Sequence, residues 1–157
     1  MKISLIRLAS QQRDTLHERG AAKLITTLNK RARIGYLASG IALVLGIFLQ
    51  VYLAMSAVTI QYGSWSAHRI LGHALGAPVV LMVLFAFLGR LDRKAVRLTL
   101  VTLVLYGLQT ALMATAPRFG LQGLAALHGV VGLALYTLAH TLVIDAFRQV
   151  RGREVAV

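Results

Sequence analysis

The sequence predicts an all-α integral membrane protein: a bundle of four transmembrane helices with an amphipathic cytoplasmic helix at its N-terminus. Hydrophobic residues make up 57% of the 157-residue chain and charged residues only 14%, and the mean hydropathy is +0.71. Soluble domains are about half apolar and carry roughly 25% charged residues. So few charged residues cannot cover the surface of a soluble globule, and lipid is therefore the expected solvent.

Four apolar stretches are long enough to cross a bilayer, which takes about 20 mostly apolar residues. They are approximately Ile34–Val58, Ala67–Leu88, Leu98–Ala116 and Leu121–Phe147. The connections are short, so consecutive helices should be antiparallel neighbours in one bundle. The chain divides into a basic amphipathic segment at 1–33, the four-helix bundle at 34–147 and a basic tail at 148–157.

Lysine and arginine are distributed unevenly among the connections. Of the 17 such residues, all but Arg69 and Arg118 lie before the first span, between spans two and three, or after span four. The positive-inside rule therefore places both termini and the middle loop in the cytoplasm, with the bacterial cytoplasmic membrane as the expected location. The net charge of +12 is explained by topology, without nucleic-acid binding.

The segment before the first span has the pattern of a helix on a membrane surface. Ala21, Leu24, Ile25 and Leu28 follow the spacing of one helix face. Basic residues surround that face, so anionic lipids at the cytoplasmic surface are the expected partners.

Several chemistries are disfavoured by composition. Cysteine is absent, which excludes disulfides, cysteine-ligated zinc and iron–sulfur clusters. The spans carry no carboxylate near the midplane, which disfavours a proton-coupled exporter and a metal hydrolase. No internal repeat is evident from the residue types.

Histidines inside the spans are the candidate functional residues, because ionisable groups in lipid are costly and tend to be functional. They are His68, His73, His128 and His140. Counted from the outer face at about 1.5 Å per residue, His73 lies about 9 Å and His128 about 10 Å deep. This match predicts one haem b near the extracytoplasmic side, with His73 and His128 as axial ligands of its iron.

Neighbouring residues fit this prediction. Gly76 follows His73 by three residues and Gly132 follows His128 by four, so both glycines should leave room for a flat macrocycle. Arg69, one turn before His73, could bind a haem propionate.

His68 is the alternative ligand from span two. It is separated from His73 by about 140° around the helix, so both cannot easily face one iron. Depth favours His73. His140 lies near the cytoplasmic face, and either hydrogen bonding to Tyr136 or binding of a quinone headgroup could explain it.

These residues also carry a resemblance. The segments Gln50-Val51-Tyr52-Leu53-Ala54, Trp65, His68-Arg69-Ile70-Leu71-Gly72-His73 and Leu127-His128-Gly129 resemble a family of small bacterial four-span membrane proteins of unknown function, over about residues 33–147. The resemblance implies the four-helix architecture and a role for the histidines of spans two and four. More loosely, the chain is similar to membrane b-type cytochromes. Those carry two histidines on each ligating helix, and span two departs from that pattern, so at most one haem is implied.

Two functions follow as hypotheses. The first is a haem b protein that transfers single electrons, with a quinone or a redox protein as partner. The alternative is a non-catalytic structural or accessory subunit of a larger membrane complex or oligomer. In both cases the chain is a carrier or subunit rather than a stand-alone enzyme.

Overall fold

A computed structural model of the chain describes residues 2–60 and 64–154, and all regular structure within them is helical. The helices are α1 Lys2–Thr59, α2 Ser64–Ala74, α3 Gly76–Leu88, α4 Arg93–Thr115 and α5 Gln122–Glu154, with a short 3-10 turn at Ala116–Phe119 between the last two. The predicted all-α fold class is confirmed.

Four helical segments of the described chain are long and apolar enough to cross a membrane. They are Lys23–Thr59, Trp65–Leu88, Arg93–Thr115 and Ala126–Arg151. The second combines α2 and α3, so the prediction of four spans is confirmed. Helix α1 is continuous from Lys2 to Thr59, and no break marks the predicted boundary at residue 33. The surface helix at 1–33 therefore stays a prediction.

The four spans form an antiparallel bundle. Helix α1 packs on α3 and α5, and α4 packs on the same two neighbours, so α1 lies diagonally opposite α4 and the α2–α3 span lies diagonally opposite α5. We call the end that carries Arg33, the α3–α4 loop and residues 148–151 the basic end. The opposite end, where α1 and α4 finish and α2 and α5 begin, is the far end.

Side-chain bonds close the basic end. The guanidinium of Arg33 donates hydrogen bonds to the carbonyls of Gly89 (2.9 Å) and Arg90 (3.0 Å), which binds α1 to the α3–α4 loop. Arg90 has φ of 47°, a left-handed conformation that ends the preceding helix. Asp92 then accepts a hydrogen bond from the backbone of Ala95 (2.8 Å) and so caps the start of α4.

The second span bends where α2 meets α3. Pro78 lacks the amide hydrogen that would bond the carbonyl of Ala74, and the interruption between α2 and α3 also takes helical partners from the carbonyls near the end of α2. The Tyr106 hydroxyl of α4 lies within hydrogen-bond distance of the carbonyls of Gly72 (3.0 Å) and His73 (3.1 Å). A side chain at Gly76 would meet this hydroxyl at 2.9 Å. In lipid, freed carbonyls must find such partners inside the protein.

The structure reveals an internal repeat. A shift of 60 residues (128 − 68) places the α2–α3 span on α5 and aligns the buried positions of both. These pairs are Leu75 with Leu135, Val79 with Ala139, Met82 with Leu142 and Ala86 with Ala146. A shift of 59 residues (109 − 50) likewise aligns α1 with α4, where Leu43 and Thr102 are both fully buried.

The two helical hairpins, α1 with α2–α3 and α4 with α5, are therefore related by an approximate twofold rotation about the bundle axis. The shift pairs His68 with His128, Gly72 with Gly132 and Gln50 with Gln109. Most residue types do not follow this repeat of burial, so it is not evident from the sequence.

We expect the Tyr106→Phe substitution to lower the free energy of unfolding by roughly 1 kcal/mol, because interhelical hydrogen bonds in membranes contribute about that much. Reversible unfolding in mixed detergent micelles, followed by circular dichroism, measures the effect. Tyr136→Phe is the matched control, since the Tyr136 hydroxyl has no hydrogen bond in the described part of the chain. Equal stability of the two variants would contradict the role given to Tyr106.

Candidate functional site

Two histidine rings meet across the far end of the bundle. The ring centroids of His68, on α2, and His128, on α5, are 6.1 Å apart, with an angle of 66° between the ring planes. The two residues are equivalent in the internal repeat and lie on diagonally opposite spans. They therefore meet close to the approximate twofold axis.

Helix α1 fixes the orientation of His68. Its Nδ1 lies 3.0 Å from the carbonyl oxygen of Gln50, and the Gln50 side-chain amide donates to the carbonyl of His68 at 2.9 Å. Gly72 makes room for this exchange, since a Cβ there would lie 2.9 Å from Gln50 Nε2. On its other side the His68 ring contacts Trp65, with centroids 5.7 Å apart.

Helix α4 holds His128 in the same way. The Nδ1 of His128 lies 3.3 Å from the carbonyl oxygen of Gln109. A Cβ at Gly132 would lie 3.5 Å from the Gln109 amide, so this glycine also faces the glutamine. Each half of the repeat thus supplies one glutamine, one histidine and one glycine to the site.

These hydrogen bonds indicate which nitrogen of each ring carries a hydrogen. A carbonyl oxygen can only accept a hydrogen bond, so each Nδ1 must carry the hydrogen. When such a ring is neutral, its Nε2 keeps the lone pair that binds a metal. Histidine ligands in metalloproteins commonly donate their other ring nitrogen to a backbone carbonyl in this way.

The separation of the rings suits one metal ion between them. Two metal–imidazole bonds of about 2 Å, each extended by the roughly 1 Å radius of the ring, put the centroids roughly 6 Å apart. The observed distance is 6.1 Å. Among the described residues, no group of three or more His, Cys, Asp or Glu side chains could hold a metal ion. Any such metal would need most of its ligands from elsewhere.

The glutamines add two acceptors to the same region. The Oε1 atoms of Gln50 and Gln109 are buried and have no hydrogen-bond partner. An unsatisfied buried polar atom costs about 1–3 kcal/mol, so both positions call for a donor from water or a bound group. The sequence predicted interhelical bonding for these glutamines but not their pairing with the histidines.

The structure favours His68, the alternative that the sequence left open, over His73. The His73 side chain is exposed on the surface of its helix, whereas His68 is half-buried beside His128. Depth counted from the start of a span ignores the direction in which each side chain points, and about 140° of rotation separates the two histidines. The signal that identifies His68 is its four-residue spacing to Gly72, which His128 and Gly132 repeat.

The residues predicted to lie beside the macrocycle also have surroundings that differ from the prediction. The space beside Gly76 is taken by the Tyr106 hydroxyl and the space beside Gly132 by the Gln109 amide, so neither glycine leaves an open slot. Gly129, by contrast, has nothing within 4 Å of an added Cβ. Arg69 is exposed, and its pairing with a propionate stays a prediction.

His140 lies apart from this pair, toward the basic end. Its side chain is exposed, and its ring stacks on Tyr136 with centroids 5.8 Å apart and 20° between the planes. Tyr136 also contacts Phe48 edge to face at 5.2 Å. This stacking differs from the hydrogen bond that the sequence suggested. We call Phe48, Tyr136 and His140 the aromatic cluster.

The fold and the histidine pair define a class: a four-helix membrane protein with paired histidines inside the bundle. Residues 50–116 match a family of unknown function (DUF6220), which confirms the predicted resemblance to such a family for this part of the chain. The matched segment contains His68 but ends before His128. Neither the curated proteins nor the solved structures gave a match, and the similarity to b-type cytochromes stays a prediction.

We expect Gly72→Ala to have a free energy of unfolding roughly 1 kcal/mol lower than Gly129→Ala, because the methyl group at position 72 displaces the Gln50 amide from its interhelical bond. Gly129→Ala is the matched control. It meets open space, and the better helix propensity of alanine should raise stability by up to about 1 kcal/mol. Unfolding in mixed micelles measures both variants, and equal stability of Gly72→Ala and Gly129→Ala would contradict the proposed contact.

Proposed function

We propose that this chain binds one haem b between His68 and His128 and transfers single electrons within the membrane. The observation that carries the proposal is the 6.1 Å separation of two rings whose Nδ1 atoms are both bonded to backbone carbonyls. Haem iron, when bound, cycles between two oxidation states, and its ligands and surroundings set the potential.

A haem suits this pair better than a bare metal ion. Zinc in proteins takes three or four protein ligands, and two histidines alone fall short of that number. A porphyrin brings four nitrogens of its own and needs only two axial ligands from the protein. The imidazoles of His68 and His128 would be those two ligands.

The surroundings support an apolar ligand at the far end. Val58 is 71% exposed, Ile60 77% and Phe119 75%, so these side chains are open to an apolar ligand as well as to lipid. A large flat hydrophobic group could pack against such side chains. The approximate twofold axis also suits a macrocycle that presents similar faces to both histidines.

The orientation in the membrane follows from charge. The basic end carries nearly all the lysines and arginines of the connections, so the positive-inside rule places it in the cytoplasm of a bacterium. The histidine pair then lies toward the extracytoplasmic surface. The exposed apolar helices place lipid around the bundle, and the charges of residues 1–33 favour anionic lipids at the cytoplasmic surface.

The aromatic cluster is the proposed contact for a quinone. His140 is exposed and Tyr136 half-buried, and neither the His140 ring nor the Tyr136 hydroxyl has a hydrogen bond in the described part of the chain. Polar side chains exposed to lipid are expensive and therefore suggest function. A quinone is dissolved in lipid, its carbonyls accept hydrogen bonds, and its ring can stack on aromatic side chains.

We expect purified protein from haem-supplied cells to show the visible absorbance of a six-coordinate haem that sharpens on reduction. His68→Ala and His128→Ala should each reduce bound haem per protein about tenfold or more, because even indirect partners of metal ligands affect affinity 10–100-fold. His73→Ala is the control and should keep the wild-type spectrum.

Size-exclusion chromatography shows whether each variant remains folded. Loss of haem in the His73 variant together with retention in the His68 variant would show that His73 is the ligand from span two. A folded, colourless wild-type protein that takes up no added haemin would falsify haem binding and favour the accessory-subunit alternative.

For the aromatic cluster, we expect His140→Leu to slow reduction of the bound haem by a soluble quinol about tenfold, since one charge-neutral hydrogen bond in an apolar site is worth about 1.5 kcal/mol at most. Stopped-flow absorbance measures the rate. His73→Leu removes another exposed histidine from the lipid-facing surface and should leave the rate unchanged. Equal rates of haem reduction in the His140→Leu and His73→Leu variants would contradict a quinone contact at the aromatic cluster.

A further inference from the structure

A groove runs between α1 and α5 at the basic end of the bundle. It has a volume of about 540 Å³, and its walls are apolar except at the mouth. The lining residues are Leu37, Ile41, Val143, Ile144, Phe147, Arg148 and Arg151. The two arginines stand at the end of the groove that faces the headgroup region.

The internal repeat provides a comparison for this groove. The equivalent positions on α4 and α3 and just beyond α3 are Val96, Leu100, Val83, Leu84, Phe87, Leu88 and Leu91. The apolar walls are thus matched by apolar residues in the other half. Arg148 and Arg151 are instead matched by leucines, so the two halves differ in chemistry at the mouth of the groove.

The mouth is positively charged. Arg148 has 76% of its side chain exposed and lies 4.0 Å from Asp145, a weak ion pair at the surface. Arg151 is exposed. Lys30 lies two helical turns before Leu37 on the same face of α1 and is also exposed. Three cations against one carboxylate leave an excess of positive charge.

We propose that this groove binds an anionic phospholipid, with an acyl chain along the apolar walls and the headgroup phosphate between Arg148 and Arg151. Arginine binds phosphate oxygens through paired hydrogen bonds. Basic pockets between transmembrane helices are known to hold anionic headgroups. The apolar walls and the basic mouth each match one part of this ligand, and the mouth disfavours the choline-bearing headgroup of a zwitterionic lipid.

This site lies at the opposite end of the bundle from the histidine pair and does not depend on haem. Its test therefore reads lipid retention rather than colour or electron transfer. Failure of the haem proposal leaves this result unaffected, and the reverse also holds.

The experiment is native mass spectrometry of the full-length protein released from micelles containing equal amounts of phosphatidylglycerol and phosphatidylcholine. We expect wild-type protein to retain phosphatidylglycerol preferentially. The double variant R148Q/R151Q should lose about tenfold or more of that preference, because each basic residue near an anionic surface changes affinity several-fold. R93Q/R97Q removes the same charge from exposed positions on α4 at the same end and should keep the preference.

A second pair of variants tests the apolar walls with the arginines in place. Ile41→Trp should fill the groove and release the lipid. Leu100→Trp adds the same bulk at the equivalent position of the other half and should not. The two parent side chains are 41% and 40% exposed, so neither tryptophan has to enter the core.

Equal retention of the two lipids by wild-type protein would overturn the site. So would an equal loss of phosphatidylglycerol in R148Q/R151Q and R93Q/R97Q, which would indicate only general attraction by the basic end.

Discussion

Lipid supplies no hydrogen bonds, so each polar group inside the bundle must find its partner within the protein. Most polar side chains do this locally, as when Thr102 bonds the carbonyl one turn earlier. Tyr106 serves the carbonyls at the bend of the second span. Among the described residues, the buried side-chain atoms left without a hydrogen-bond partner are the Oε1 atoms of Gln50 and Gln109, beside the histidine pair at the far end. The site is recognisable because its polar atoms lack partners where partners are most needed.

The approximate twofold axis explains why those groups face one another. Each hairpin contributes one glutamine, one histidine and one glycine. The backbone carbonyl of the glutamine bonds the histidine ring and orients it toward the axis. A residue on the axis of such a bundle meets its own equivalent, so one arrangement repeated twice brings two histidines together, as the proposed haem site requires. A structural role for the pair accounts equally well for the packing of the rings.

The sequence was sufficient for the spans, because hydropathy over about 20 residues depends little on detail. It was insufficient to identify which histidine of the second span lies beside His128. His73 and His68 differ by about one and a half turns, and depth alone cannot decide which one faces the bundle axis. The repeat was also hidden, since Val79 aligns with Ala139 and Met82 with Leu142. Those pairs share burial without sharing residue type, and burial becomes visible only in the folded chain.

The differences between the two halves are as informative as the similarities. The two halves carry equivalent residues near the axis, where each contributes one glutamine, one histidine and one glycine. Their lipid-facing surfaces carry different residues. One half has the bend served by Tyr106, and the other has the exposed stack of Tyr136 on His140 and the basic mouth at Arg148. A core that must pack against its own copy constrains both halves together. The lipid-facing surface carries no such constraint, so each half can acquire a separate contact there without disturbing the pair of histidines on the axis.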